Sequence, residues 1–163
     1  MSDSMKSVKT RSLEGVDLDW MVAGCLGHKA YLRHDFMRQR AQHVNHAFPL
    51  DWHLSVQTND PIIGVIETGE TQVLPRYGAD WLVAGQIIEQ NQISLSIKHD
   101  GWWVACMYDI NDEPKHMHVG STPLEAAMRC LVDAKVGPVV QVPDGLSQWD
   151  AKAKAKKSSS PSL

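Results

Sequence analysis

The sequence lacks the features that mark several large classes of protein. It has three cysteines among 163 residues and no CxxC pair, so a disulfide framework is not indicated. No apolar run approaches the roughly 20 residues that cross a bilayer. Residues 1–11 are polar and lack the apolar core of a signal peptide. We therefore expect no membrane contact and a reducing compartment, the cytoplasm.

An excess of positive charge is also missing. The formal net charge is −3, so the chain as a whole presents no basic field to attract nucleic acid. Locally the balance differs, because basic residues gather in Arg33–Arg40 and in the lysine-rich C-terminal segment. Association with nucleic acid is therefore kept as the alternative function and ranked below binding of another protein or a small ligand.

Catalytic motifs are absent as well. The sequence has no GxSxG elbow, no phosphate-binding P-loop, no GxGxxG turn and no paired-carboxylate motif. Cys25, Cys106 and Cys130 lie within apolar periodic stretches, which argues against a reactive thiolate. We lean against an enzyme and predict no cofactor, although an enzyme with a dispersed site stays open.

The clearest local signal is a complete helix near the C-terminal end. Thr122 is a natural N-cap, Pro123 suits the first helical position, and Glu125 completes a capping box. Gly137, followed by Pro138, ends the pattern. The segment predicts a helix over Pro123–Val136, around which the rest of the domain packs.

The two sides of this helix differ. An apolar stripe at helical spacing predicts the face that packs on the core, and it consists of Leu124, Ala127, Met128, Leu131 and Ala134. Glu125, Arg129 and Asp133 share the other side. They indicate a solvated charged face, and a buried or anion-binding role for Arg129 is kept as the alternative.

A hairpin precedes the helix. Alternation in Ile93–Ile97 predicts a strand, Asp100-Gly101 a tight turn, and Trp102–Ile110 the returning strand. Both faces of that second strand are apolar, so we expect it to be central and covered on both sides. A third strand is predicted over Lys115–Val119, and Val139–Val142 reads as a short edge strand.

The N-terminal part predicts a short strand within Met5–Ser12 and a helix over Gly15–Leu26. Residues 28–75 read as an insertion in which Tyr31–Val44 is either helical or part of a loosely ordered excursion. Asn59–Pro75 indicates a strand or hairpin. We predict a single α+β domain over residues 1–149 and a disordered Lys/Ser-rich tail over 150–163.

Six residues form the candidate ligand-binding set, because tryptophans offer stacking faces and arginine a planar fork for phosphate or carboxylate. They are Trp20, Trp81, Gly85, Glu89, Trp103 and Arg129. Two interpretations stay open: a pocket for a nucleotide or short peptide, or a tryptophan-rich core with a buried Glu89–Arg129 ion pair.

Two pairs of histidines raise the question of a metal. His116 and His118 lie on one side of a predicted strand and would need Asp109, Asp112 or another histidine to complete a site. His43 and His46 share a helical spacing. Because spacing supplies no third and fourth ligand, we predict surface histidines and no metal site.

Several blocks together resemble one known family. Val8–Gly15 leading into Leu18–Ala23, Asp80-Trp81 with Gly85–Glu89, Trp103–Ala105 and Gly120–Gly137 match, in order, the NinX-type phage and prophage proteins. The closing segment Val140–Leu146 is also similar. This sequence differs in having Ala84-Gly85-Gln86 where the family usually has Gly-Gly-Pro, and in its longer 28–75 region.

The resemblance implies a small phage accessory protein made in the host bacterial cytoplasm, with no established activity to carry over. We expect it to bind a host protein or a small, nucleotide-like ligand and so to blunt host defence. The fold expected from the sequence is α+β, a small, mainly antiparallel sheet with two principal helices packed on one face. Because an apolar second face of that sheet needs covering, we also expect a homo-oligomer.

Overall fold

The computed structural model describes residues 4–28, 30–32, 62–66, 71–72, 74–144 and 146. Its helices are α1 (Gly15–Cys25), α2 (Trp81–Gln90) and α3 (Pro123–Lys135), and a short 3₁₀ turn covers Thr10–Ser12. Its strands are β1 (Met5–Lys9), β2 (Ala30–Leu32), β3 (Ile62–Ile66), β4 (Thr71–Gln72), β5 (Ser94–Ile97), β6 (Trp103–Tyr108), β7 (Pro114–Gly120) and β8 (Val139–Pro143). The predicted α+β class is confirmed.

Helix α3 lies at the centre of the core. It also begins and ends where the signals in its sequence predict, to within one residue. The Thr122 hydroxyl accepts from the Glu125 N–H at 3.2 Å, and the Glu125 carboxylate accepts in turn from the Ser121 N–H at 3.3 Å. Gly137 ends the segment with a φ of 124°, a conformation that side chains rarely adopt. The helix is buried almost all round, beyond the predicted stripe, and its fully enclosed residues include Ala126, Cys130 and Val132.

Strands β5, β6 and β7 form an antiparallel sheet with β6 in the middle, so the predicted hairpin and third strand are confirmed. Helix α3 packs on one face of this sheet, where Ala105 is completely buried. The approach is closest at Gly120, because a Cβ built there would lie 2.6 Å from the Ala126 nitrogen. Glycine at this position therefore lets the helix begin directly against the strand.

The two ends of the described chain meet in a second ladder. Strand β1 pairs antiparallel with β8, with Val8 opposite Val140. The Thr10 hydroxyl then donates to the Gly137 carbonyl at 2.6 Å, and the Thr10 N–H donates to the Pro138 carbonyl at 2.9 Å. These bonds tie the 3₁₀ turn to the end of α3. The predicted strand within Met5–Ser12 is confirmed, but it ends at Lys9.

Helix α1 agrees with its prediction to within one residue. Asp19 in this helix is buried, and its carboxylate accepts from the Gly78 N–H at 2.9 Å. The bond joins α1 to the turn that leads into α2. A buried carboxylate needs such a donor, because without one its desolvation is costly.

No helix was predicted in the region of α2. Asp80 caps this helix by accepting from the Leu82 N–H at 2.9 Å, and Ala84 and Ile87 face the core. Gly85 lies inside the helix, and apart from the helix's own backbone no atom lies within 4 Å of where its Cβ would be.

The third ladder joins β2, β3 and β4, so the strand or hairpin predicted within Asn59–Pro75 is confirmed. Of the two alternatives for Tyr31–Val44, the helix is wrong at its start, because Tyr31 and Leu32 belong to β2. The remainder of that helix, residues 33–44, lies outside the described residues, as do the 150–163 tail, His43 and His46.

The expected coverage of β6 on both faces holds only at its middle within the described part of the chain, where Cys106 is buried. β6 is central, but Trp102 just before it and Tyr108 at its end are both about half exposed on the face away from α3. The strands also form three separate antiparallel ladders where one small sheet was expected. Helices α1 and α2 both contact α3.

Candidate functional site

Arg129 is the best-connected polar side chain of the six candidates. Its Nε donates to the Leu13 carbonyl at 2.7 Å, and one terminal nitrogen donates to the Val119 carbonyl at 2.8 Å. The other terminal nitrogen lies 2.9 Å from the Glu125 carboxylate. The residue is only 7% exposed. A guanidinium that is buried and bonded through all three nitrogens serves the fold.

Arg129 is buried, which agrees with one of the alternatives kept for it. Its ion-pair partner, however, is not the expected Glu89. Glu125, one turn earlier on α3, takes the place expected for Glu89. Glu89 is exposed near the end of α2 and makes no ion pair with Arg129. The three bonds of Arg129 join α3, the end of β7 and the loop before α1.

Two of the candidate tryptophans belong partly to the core. Trp20 on α1 and Trp103 on β6 are half-buried and pack against the central cluster of apolar side chains. Trp103 also lies opposite Gly120 in the β6–β7 ladder. Each ring therefore leaves only part of its surface for contact with another molecule.

The other three candidates share one side of α2. Trp81, Gly85 and Glu89 follow one another at intervals of four residues, which places them on the same face of a helix. Trp81 is 56% exposed, and the next residue, Leu82, which is not among the six candidates, is 87% exposed. Leu82 lies about 100° farther round the helix from Trp81, and we call the four residues together the α2 face. The face carries two large apolar groups, a carboxylate and a glycine gap between them.

The paired histidines of β7 converge on α3. His116 Nδ1 lies 2.9 Å and His118 Nε2 lies 3.2 Å from the same carboxylate oxygen of Asp133. Burial raises the pKa of Asp133, but the two hydrogen bonds and the nearby imidazoles outweigh it, so the net pKa is lowered below its ordinary value. The acidic neighbour of both imidazoles is therefore Asp133, and not Asp109 or Asp112, which were considered as further metal ligands. The histidines are also less exposed than the predicted surface histidines, because their side chains are 23% and 11% exposed. Within the described ranges no cluster of three or more His, Cys, Asp and Glu side chains is arranged to hold a metal ion.

With this geometry established, the chain can be compared with known proteins. A family model described as Bacteriophage P22, NinX matches residues 9–135. The chain belongs to this family. The matched span runs from the end of β1 to the end of α3 and so includes all six candidate residues of this NinX-family protein. No curated protein sequence matches the chain.

Two thiols of this NinX-family chain have a raised pKa, which makes them poorly suited to nucleophilic chemistry. Burial raises the pKa of Cys130 to about 12, and the neighbouring Cys106 adds to the effect. Burial also raises the pKa of Cys25 to about 11, against the opposing charge of Lys135. Both groups are protonated near neutral pH, and a protonated thiol is a weak nucleophile.

Among the described residues, no helix has the length and apolar character needed to cross a membrane.

Proposed function

We propose that this NinX-family protein is a non-enzymatic phage accessory protein that binds a host protein through the α2 face. The observation that carries the proposal is the exposure of Trp81 and Leu82 side by side at the start of the helix. Tryptophan is enriched among the residues that dominate the energy of protein interfaces. A folded chain gains nothing from leaving such groups in water, so a partner is the natural role for them.

The local structure favours binding without rearrangement. Asp80 caps the helix at the Leu82 N–H, so the two apolar side chains project from a fixed first turn. Gly85 leaves open space between Trp81 and Glu89, into which a partner side chain fits. A surface held in its bound form loses less conformational entropy on association.

A protein partner is favoured over a nucleotide-like ligand. Arg129 is the candidate that would hold a phosphate, and its donors are already bonded to Leu13, Val119 and Glu125. Binding a phosphate there requires breaking internal bonds of the core. The α2 face, by contrast, offers apolar area and one carboxylate, a composition that suits a protein surface.

The test compares three full-length chains: wild type, Trp81→Ala and Ile97→Ala. Ile97 is the matched control because it is also a large exposed apolar residue, but it lies on β5. Host proteins captured by the wild type are identified, purified and titrated calorimetrically against each chain. We expect Trp81→Ala to weaken binding by about 2 kcal/mol, roughly thirtyfold. Ile97→Ala should bind as the wild type does, and all three chains should share one melting temperature.

Other outcomes decide against the proposal. Equal affinity of Trp81→Ala and wild type removes the α2 face as the binding surface. A nucleotide that raises the melting temperature in a panel screen supports the small-ligand function instead. Salt-dependent binding to DNA or RNA supports the alternative role in nucleic-acid metabolism. If the partner is found, we expect expression of the wild-type chain, but not Trp81→Ala, to blunt the host defence against phage.

A further inference from the structure

The sheet of β5, β6 and β7 has one face that α3 does not cover, which we call the outer face. The strand register places two rows of three side chains on this face. One row consists of Ser96, Val104 and Val119, and the next consists of Ser94, Cys106 and Met117. Trp102 and Tyr108 lie at the two ends of the same face.

The outer face combines apolar side chains with Ser94 and Ser96, and although Cys106 is buried, several of the face's apolar side chains are exposed within the described part of the chain. Trp102 is 47% exposed, Tyr108 49% and Met117 57%. No charged residue occupies either of the two central rows. Lys98, which pairs with Trp102 across the turn, lies at one end. Depletion of charged residues at the centre is typical of a protein interface.

We propose that a second copy of this chain docks on the outer face, so that two sheets pack face to face about a two-fold axis. An uncharged patch can pack against an identical patch without charge repulsion. The centre of this face also offers no charge by which an oppositely charged partner would be selected. The opposite face is the one on which α3 packs.

The area fits a dimer of moderate strength. The exposed apolar side chains of the outer face, with Ile110 from the adjoining turn, present on the order of 500 Å² per copy. Two copies therefore bury about 1,000 Å² in total, which is the lower bound for a specific interface. We expect dissociation constants of about 1–100 µM.

The test is sedimentation equilibrium of the purified full-length chain over roughly that concentration range. The mass should rise from one chain to two. Met117→Lys places a charge at the centre of the face, and Val139→Lys is the matched control because Val139 is also an exposed apolar strand residue, on β8. We expect Met117→Lys to weaken dimerisation at least tenfold and Val139→Lys to leave it unchanged.

A readout of folding separates loss of the interface from loss of the structure. Melting temperatures taken at a concentration where wild type is monomeric should agree for all three chains. If Met117→Lys melts lower there, Trp102→Gln at the edge of the same face replaces it. A wild-type chain that stays monomeric throughout overturns the proposal. So does a dimer that Met117→Lys or Trp102→Gln leaves intact, because that dimer uses another surface.

Discussion

Replacing Gly120 by alanine tests the contact between β7 and α3. The added Cβ would lie 2.6 Å from the Ala126 nitrogen, 3.0 Å from the Thr122 carbonyl oxygen and 3.1 Å from the Ala126 Cα. All three atoms belong to the backbone, so no rotamer change relieves the overlap. The strand and the capped first turn of the helix must separate, and overpacking of this kind costs about 2–3 kcal/mol.

The assay is urea unfolding followed by circular dichroism. We expect a lower midpoint with an unchanged slope and a melting temperature lower by roughly 4–12 °C. Gly85→Ala is the control, because that glycine lies inside α2 with open space around it. Alanine there should stabilise the chain by about 0.5–1 kcal/mol. Equal stability of Gly120→Ala and wild type would refute the close packing of β7 on α3.

Three smaller changes test other parts of the structure. Thr122→Ala removes the cap of α3 and should cost about 1 kcal/mol in unfolding free energy, measured in urea. The pKa of Asp133 is lowered in the folded chain, so its contribution to stability is present above the unfolded pKa of about 3.9 and is lost as pH falls toward the folded value. Asp133→Asn should flatten that acid limb of a stability–pH curve, and a curve unchanged from wild type would show that the bonds from His116 and His118 are unimportant. The Cys130 thiol, with its raised pKa, should resist a thiol reagent at pH 8 until the chain is unfolded, and fast labelling in the folded state would contradict its burial.

The elements that could be predicted are those whose signals are local. Thr122, Pro123 and Gly137 mark the ends of α3 within the segment itself, and the Asp100-Gly101 turn defines the hairpin. Local signals also exist for α2, because Asp80 suits a cap and Ala84 and Ile87 share a helical spacing. The glycine between them obscures that pattern, since glycine is unfavourable inside a helix.

The role of Arg129 depends on contacts that are distant along the chain. Its side chain bonds to the Leu13 carbonyl, 116 positions away, and no pattern within α3 indicates that partner. Pairing with Glu89 was plausible from residue types alone, but α2 presents Glu89 to solvent. The exposure of a side chain also depends on tertiary contacts. Neither the exposure of Leu82 nor the open face of β6 could therefore be predicted from the sequence.

The central claim is that Arg129 holds the fold together and that binding takes place elsewhere, and the unfolding free energy of Arg129→Met tests it most directly. Methionine keeps much of the apolar stem but removes the buried donors to Leu13, Val119 and Glu125, so we expect a loss of about 3–5 kcal/mol. Arg76→Met, at an exposed arginine, should change little. An Arg129→Met chain that unfolds like the wild type but no longer binds its partner would contradict the account.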